Sequence, residues 1–538
     1  MGIKPAALEI GLGSDHEESG GLSNSVKSGE IRVAAIHDIE SACFQRNDIQ
    51  NIDLNVIDLR IKMYKSLAIS LRYDIFPAHK VEANHISKGG KRCQIILKIF
   101  TQLARNLFLK ICANLIKFLN KIIFSKDFLS RHRRSKKDFV RERLLPFHNI
   151  IFFLMNLVKG SLQDELDYFF KAAHAEDVSI RTVTKSAFSK ARKKLHYEVF
   201  IELSRNLVSF FYEHFPCRTW KGFRILAIDG STIKVPRTKD CASHFGVWNS
   251  SQGAACPLAR ISSLFDVLNS IVVDAVIQPN AHGERTLAVE HMQQVKVNDL
   301  ILLDRGYPAF WLFALILSKH AHFCIRVNAH WNKIRKFSDS GKKDDIIILL
   351  PSPKSVEQCK LLNLPVVPMK VRAIRVELAS GETEILLTSL WDKNLHPCEI
   401  FKELYHLRWT TEENYKVAKC RIEIENFSGK SVESVYQDFH AKVFAMNLAA
   451  AIIHPAQDII AGQSEQKKYS YKINVTQALS KMKDALVLLF IRSNVIELLH
   501  KLHSLFIATI EPVRPGRKFP RKHSAQKRTF NVCYKPVR

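Results

Sequence analysis

The sequence predicts an α/β protein whose β-rich middle is flanked by helical regions. Three features carry that expectation. Apolar residues recur at helical spacing up to about residue 215, run or alternate as strands do from about 222 to 390, and return to helical spacing from about 400.

Charge narrows the partners. Eighty Lys and Arg stand against 52 Asp and Glu, a formal net charge of +28. Such an excess points to a polyanion, nucleic acid before an anionic membrane surface, because each phosphate contact releases condensed counterions. With 538 residues, 46% of them hydrophobic, the chain can build several domains with real cores. Its 11 cysteines are scattered without a C-x-x-C pair, which argues against a zinc module or disulfide framework and for a reducing compartment. The opening "MGIKPAALEIGLGSDHEESGG" lacks the basic start and apolar run of a secretory signal, and Ala6 breaks the myristoylation pattern after Gly2.

In chain order, residues 1–125 read as an N-terminal extension, partly disordered at its polar start. One or two basic amphipathic helices are expected in "CQIILKIFTQLARNLFLKICANLIKFLNKIIF" (93–124). Lys98, Arg105, Lys110, Lys117 and Lys121 recur through it, so packing on protein is expected rather than a bilayer span. Residues 126–215 read as a helical, DNA-binding domain. In it "NIIFFLMNLVKGSLQDELDYFFKAA" breaks at Gly160-Ser161, and "TKSAFSKARKKLHYEVF" (184–200) forms a helix capped by Ser186. Phe188, Ala191 and Leu195 face inward there, while Lys190, Arg192, Lys193 and Lys194 point largely outward, either as a solvated face or as a DNA contact. Strands follow in "FRILAIDGSTIKVP", "ARISSLFDVLNSIVVDAVIQP" and "DLILLDRGY", with a helix in "ERTLAVEHMQQV". Residues 309–399 hold four more strands and read as a compact β block. Helices resume at 400–420 and continue through the C-terminal region, 456–538, which ends in a tail with nine Lys and Arg and no acid after Glu511.

Taken singly, the candidate carboxylates are unremarkable. Asp229 ends "RILAI" before Gly230, and Asp-Gly between β runs is a common hairpin-turn signal. Asp304 ends "LILL", where Asp often only forms a turn. Glu412 stands four residues after Arg408, a spacing that gives weak surface ion pairs. Together, two carboxylates at strand ends and a third on a later helix repel one another unless cations sit between them. Mg²⁺ or Mn²⁺ suits such oxygen donors, and a pair of ions can support in-line attack on phosphorus.

The segment "LYHLRWTTEENYKVAK" (404–419) adds a second pattern. At about 100° per residue, Tyr405, Arg408, Glu412 and Lys419 share a helix stripe roughly 60° wide. If Glu412 reaches an ion at a scissile phosphate, Arg408, Lys419 and Tyr405 lie along the DNA backbone.

The spacing Tyr405-x2-Arg408-x3-Glu412-x6-Lys419 resembles the YREK signature of DDE transposases from the insertion-sequence-four family of bacterial mobile elements. "AIDGST" and "LLDRGY" are similar to that family's first and second Asp motifs, and the resemblance covers about residues 128–538. It implies a ribonuclease-H-like catalytic core, at 216–308 and 400–455, interrupted by the β-rich insertion at 309–399. It also implies a metal triad of Asp229, Asp304 and Glu412 holding two Mg²⁺ or Mn²⁺ ions, and DNA contacts from Tyr405, Arg408 and Lys419. Terminal inverted repeats and target DNA are the implied partners, cut and joined by a homodimer in the bacterial cytoplasm at the nucleoid. No membrane partner and no small-molecule substrate is expected. Residues 1–125 fall outside the resemblance. Three other readings remain: a transposase-derived protein that only binds DNA, a stand-alone nuclease of the same core, and, more distantly, a membrane-surface protein drawn by 93–124.

Overall fold

The computed structural model describes residues 89–514, apart from 142, 251–252, 329–330, 379–380 and 465–466, with side chains from Arg105 onward except at 250, 253–254, 458, 461–464 and 484. All lie within one unit, Ile86–Arg538. The expectation of disorder near the N-terminus and the basic tail beyond 514 lie outside the described residues.

The helical part opens with α1 (Gly89–Ile123) and α2 (Lys126–His132). Leu109, Cys112, Leu115, Ile116 and Leu119 of α1 are buried while Lys110, Lys117 and Lys121 stay exposed, so its apolar stripe packs on protein. Then come α3 (Phe147–Met155), α4 (Leu162–His174), α5 (Lys185–Arg192) and α6 (Glu198–His214). The break falls at Gly160-Ser161, where Ser161 precedes α4. Thr184, not Ser186, caps α5: its side chain accepts from the N–H of Ala187, which leaves Ser186 inside the first turn.

A nine-stranded mixed sheet forms the middle. Its strands are β1 (Arg224–Lys234), β2 (Val247–Ser250), β3 (Gly253–Asp266), β4 (Ile271–Pro279), β5 (Asp299–Leu303), β6 (His322–Val327), β7 (Asp344–Leu349), β8 (Met369–Glu377) and β9 (Thr383–Thr388). The order is β2-β3-β1-β5-β6-β9-β8-β7, with β4 also paired to β3. β1 lies antiparallel to β3 and parallel to β5, and β6 continues parallel to β5. Ile225–Ile228 and Leu300–Leu303 are all buried, as strands covered on both faces require. Helices α7 (Lys239–Phe245) and α8 (Glu284–His291) lie between these strands in sequence.

The four strands expected between 322 and 390 are present, but they do not stand apart as a block. β6 pairs with β5, and β9, β8 and β7 follow on the same sheet, separated in sequence by α9 (Phe310–Ser318), α10 (Asn332–Asp339) and α11 (Pro353–Leu361). An open edge of hydrogen-bonding groups on β6 is satisfied by the next strand rather than left to water.

After the sheet come α12 (Ile400–His406), α13 (Trp409–Lys416), a π-turn (Val417–Arg421) and the long α14 (Val432–Ser464). α14 packs on β4 on one side and on α1, α3 and α6 on another. Small residues such as Ala441, Ala445 and Ala449, all buried, permit that close approach. An antiparallel pair, β10 (Ser470–Ile473) and β11 (Ile510–Val513), brackets α15 (Val475–Ile491) and α16 (Val495–Ala508). No helix among the described residues is long and apolar enough to cross a membrane.

Candidate active site

The sheet register brings the two aspartates together. β1 and β5 pair up to Ile228 with Leu303, so Asp229 and Asp304 are the next residues on neighbouring chain segments, whose strands lie about 5 Å apart across the sheet. Asp304 lies just beyond β5, as expected. Asp229 does not end its strand: β1 runs on to Lys234, paired with β3 to the last residue. The 14-residue β3 supplies a partner after β5 stops, so the Asp-Gly pair is strand rather than turn. Gly230 has a different reason to be glycine. A Cβ there would lie 3.0 Å from Cγ of Glu284, at the start of α8.

The carboxylates sit among arginines. Burial pushes Asp229 up to about 6, with Asp304 and Glu412 adding to the rise against the Gly230 N–H and Arg408. Burial acts in the same sense on Asp304, but the Arg305 N–H, Arg326 and Arg408 outweigh it, and its carboxyl falls below the usual range. Arg326, on β6, reaches Asp304 at 2.8 Å and also pairs with Glu384 of β9. Arg408, only 2% exposed, places its guanidinium 3.2 Å from Glu412 and 4.0 Å from Asp229. The same group lies over the rings of Trp409 and Tyr405, at 5.0 and 5.8 Å.

The four-residue stripe is not one regular helix. Leu407, Arg408, Thr410 and Thr411 donate to carbonyls three residues back, a 3₁₀-type joint between α12 and α13, and the π-turn follows at 417–421. Tight and wide turns at functional segments re-aim side chains. Tyr405 is buried under the end of β5, its hydroxyl donating to the Leu303 carbonyl at 3.2 Å. Lys419 is half-buried and donates to Ser231 Oγ at 2.7 Å and the Thr232 carbonyl at 2.9 Å, both on β1 past Asp229. Tyr405, Arg408 and Glu412 therefore gather around the two aspartates, with Lys419 on β1 just past Asp229, and Tyr405, Arg408 and Lys419 all turn to protein groups rather than to an open groove.

The other basic candidates lie elsewhere. Lys190, Lys193 and Lys194 are exposed on and after α5, Lys194 facing Asp138 at 3.4 Å. Arg192 departs from the expectation of an outward basic face. It is buried and donates to Gln437, Ser428, Asp438 and the Ser434 carbonyl, tying α5 to the start of α14.

Several site residues carried no recognisable local signal. Tyr415 donates to the Asp229 carbonyl at 2.7 Å, and Ser262 donates to the same oxygen at 3.2 Å. Tyr307 is 1% exposed, and its hydroxyl has no hydrogen-bond partner in the structure. Only "LLDRGY" hinted at Tyr307. Arg326, Ser262 and Tyr415 are identified by strand register and helix packing alone.

The donor chemistry fits a hard divalent cation: carboxylate oxygens, with Asp229 raised first by burial and then by its two carboxylate neighbours. Among the described residues, however, no three His, Cys, Asp or Glu side chains converge closely enough to hold one ion. Arg408 stands between Asp229 and Glu412, so closing the cluster means turning side chains on a backbone already in place.

Residues 220–448 match the family described as "Transposase DDE domain". The transposase InsG for insertion sequence element IS4 of Escherichia coli (strain K12) is 26% identical over 273 residues, covering 49% of this chain and 60% of the relative. The putative transposase InsZ of the same organism is 27% identical over 114 residues, 21% of this chain and 36% of the relative. The match therefore spans less than two thirds of either relative. Among solved structures, the piggyBac transposase in a synaptic complex with hairpin DNA superposes with a TM-score of 0.39 at 9% identity, over 75% of this chain and 87% of that one. At that score the two paths diverge too far to bear on residue roles. By these matches the chain is similar to the DDE transposases of the insertion-sequence-four family, with the similarity to the transposase DDE domain lying at residues 220–448.

Proposed function

We propose that the chain is a transposase that binds the terminal inverted repeats of its element, cuts the DNA there and joins the ends to target DNA. The observation that carries this reading is the register of β1 and β5. It sets Asp229 beside Asp304, with Arg408 linking Asp229 to Glu412 from the helix. Three antiparallel strands continued by two parallel ones also support a ribonuclease-H-like core, with β7–β9 as the inserted strands.

Asp229, Asp304 and Glu412 are the residues to hold Mg²⁺ or Mn²⁺, in one or two sites. Bound there, the metal supplies charge neutralisation at the scissile phosphate and activation of the attacking oxygen. The protein's own part is geometric. Two strands and a helix hold the carboxylates, and Arg326 keeps Asp304 ionised. Arg408 balances Asp229 and Glu412 until a phosphate or cation takes its place, and it is then free to hold the DNA backbone. Tyr405 fixes the end of β5 from below, and Lys419 sits at the continuation of β1 within reach of a neighbouring phosphate. Lys190, Lys193 and Lys194 offer a separate, sequence-independent contact with DNA. Duplex DNA as partner, a homodimeric active complex and a place in the bacterial cytoplasm belong to the same reading.

The test is strand cleavage on DNA carrying the repeats that flank the gene. Wild type is compared with Glu412→Gln in Mg²⁺, Mn²⁺ and EDTA. Nicking at the repeat boundary that needs metal and vanishes in the variant is the expected result. Tight repeat binding with no cleavage by either protein would instead assign a DNA-binding derivative without chemistry.

A further inference from the structure

A buried chain of hydrogen bonds approaches Asp229 from the side of the sheet opposite its carboxylate partners. Asp274 Oδ2 lies 2.7 Å from Nδ1 of His291, and Nε2 of His291 lies 2.9 Å from Ser262 Oγ. Ser262 in turn donates to the main-chain carbonyl of Asp229 at 3.2 Å. His291 is 0% exposed and Ser262 1%. Successive strand residues face opposite sides, and β1 pairs Gly230 with Ser262 but Asp229 with Ser263. Ser262 therefore faces α8 and His291, while Ser263 and Asp229 face α13. From that second side Tyr415 grips the same Asp229 carbonyl at 2.7 Å and receives a hydrogen bond from Ser263 at 3.1 Å.

Aspartate, histidine and serine in a row are also the residue types of acyl-transfer enzymes, but here that chemistry is closed off. Ser262 has no surface for a substrate, and its single hydroxyl proton goes to the Asp229 carbonyl. With that proton committed, the Ser262 oxygen faces His291 Nε2 as an acceptor, and the Asp274 carboxylate faces His291 Nδ1 as another. Each member thereby fixes the orientation of the next.

The place where this chain ends explains its use. The last β1–β5 pair is Ile228 with Leu303, so at Asp229 strand β1 has just lost a neighbour on one side. A backbone free to pivot there swings the Asp229 carboxylate, and catalytic constellations tolerate only about 0.5 Å of such error. We propose that Asp274, His291 and Ser262 are positioning residues for DNA strand cleavage. They lock the main chain at Asp229 and so aim its carboxylate at Asp304 and Glu412. The inference rests on the function proposed above.

The experiment measures cleavage of repeat-end DNA at saturating DNA for wild type, Glu412→Gln, Ser262→Ala, Ser262→Thr and Asp274→Asn. DNA dissociation constants and melting temperatures are measured for the same set. Asp274→Asn keeps the shape of the far end of the chain and touches nothing at Asp229. Ser262→Ala and Asp274→Asn are expected to lower kcat about tenfold or more, as losses behind a metal-binding side chain do, and to raise the Mn²⁺ needed for half-maximal rate. DNA affinity should stay within about twofold, and Ser262→Thr, which keeps the hydroxyl, should stay within about threefold of the wild-type rate. Wild-type kcat in both Ser262→Ala and Asp274→Asn, with Glu412→Gln inactive, overturns the positioning role and leaves the proposed function standing. A loss that follows melting temperature and DNA affinity, and that Ser262→Thr does not restore, makes the chain merely structural and also overturns it. A wild type that binds but does not cleave removes both. If Asp274→Asn does not fold, the contrast between Ala and Thr at 262 decides alone.

Discussion

Arg192 and Arg408 are both buried, both face carboxylates, and both come from segments whose basic residues the sequence offers to DNA. Their surroundings differ. Arg192 is closed in by Gln437, Ser428, Ser434 and Asp438, at 2.7 to 3.3 Å, and Gln437 donates back to the Arg192 carbonyl at 3.0 Å. Arg408 has one hydrogen-bonded carboxylate, a second at 4.0 Å, two aromatic faces, and an Nε without a hydrogen-bond partner. A buried charge whose every nitrogen is hydrogen-bonded holds elements together. One left partly satisfied, among carboxylates that repel each other, is poised to exchange partners, and such residues mark functional sites.

The sharpest way to break this comparison is to remove both arginines separately. Arg408→Ala should lose about 100- to 1,000-fold in cleavage at saturating DNA, the range for a charged group acting at the reacting centre, while melting stays near wild type. Retained cleavage would show that Arg408 serves packing, like Arg192. Arg192→Ala should do the reverse. Leaving Asp438 buried without its cation costs about 3–5 kcal/mol and should lower the melting temperature by about 5 °C or more, whatever the DNA. An unchanged melting curve would remove the contrast from the other side.

Acidity sharpens it further. Asp229 keeps its proton to about 6 in the fold, whereas an unfolded Asp releases it near 3.9. Between those values the folded state holds more protons than the unfolded one, so this residue's contribution to stability falls as pH rises and is fully lost above about 6. In EDTA, Asp229→Asn should therefore melt above wild type at pH 7.5 and converge with it near pH 4. Melting curves across that range check it, and a constant gap would sink the assignment. Cleavage itself, which needs the ionised carboxylate, should fall as pH drops below about 6. The smallest effect belongs to the exposed lysines. Lys190→Gln with Lys193→Gln should weaken binding equally for repeat and unrelated duplexes, and reduce the salt slope by about one for each phosphate no longer neutralised. A weakening confined to the repeat sequence would instead make them base readers.

Much of this was legible beforehand. Leu300–Leu303 and Ile225–Ile228 read as buried strands because every position is apolar, and the break at Gly160-Ser161 is local chemistry. The spacing of Tyr405, Arg408, Glu412 and Lys419 placed them near one another, since 3.6 residues per turn needs no tertiary information. The 3₁₀ joint and the π-turn within that segment were not legible, because their cause is the docking of Tyr405 under β5 and of Lys419 on β1. Asp229-Gly230 looked like a turn for a similar reason. Whether the chain bends at such a pair depends on β3, some thirty residues away, continuing alongside it.

Periodicity by itself determined which segments are helix or strand, and motif spacing and charge balance by themselves singled out the three carboxylates and the polyanion of the proposed function. Those properties are written within a turn or two of each residue, or in the composition as a whole. Only the tertiary structure decided that Arg192 turns inward to Asp438, that β6 extends the sheet into β9, and that Asp274, His291 and Ser262 line up behind Asp229. A helix face or strand side is set by local sterics, whereas the partner of a buried polar group is whatever the fold brings within 3 Å. For Arg192 that partner lies 246 positions along the chain.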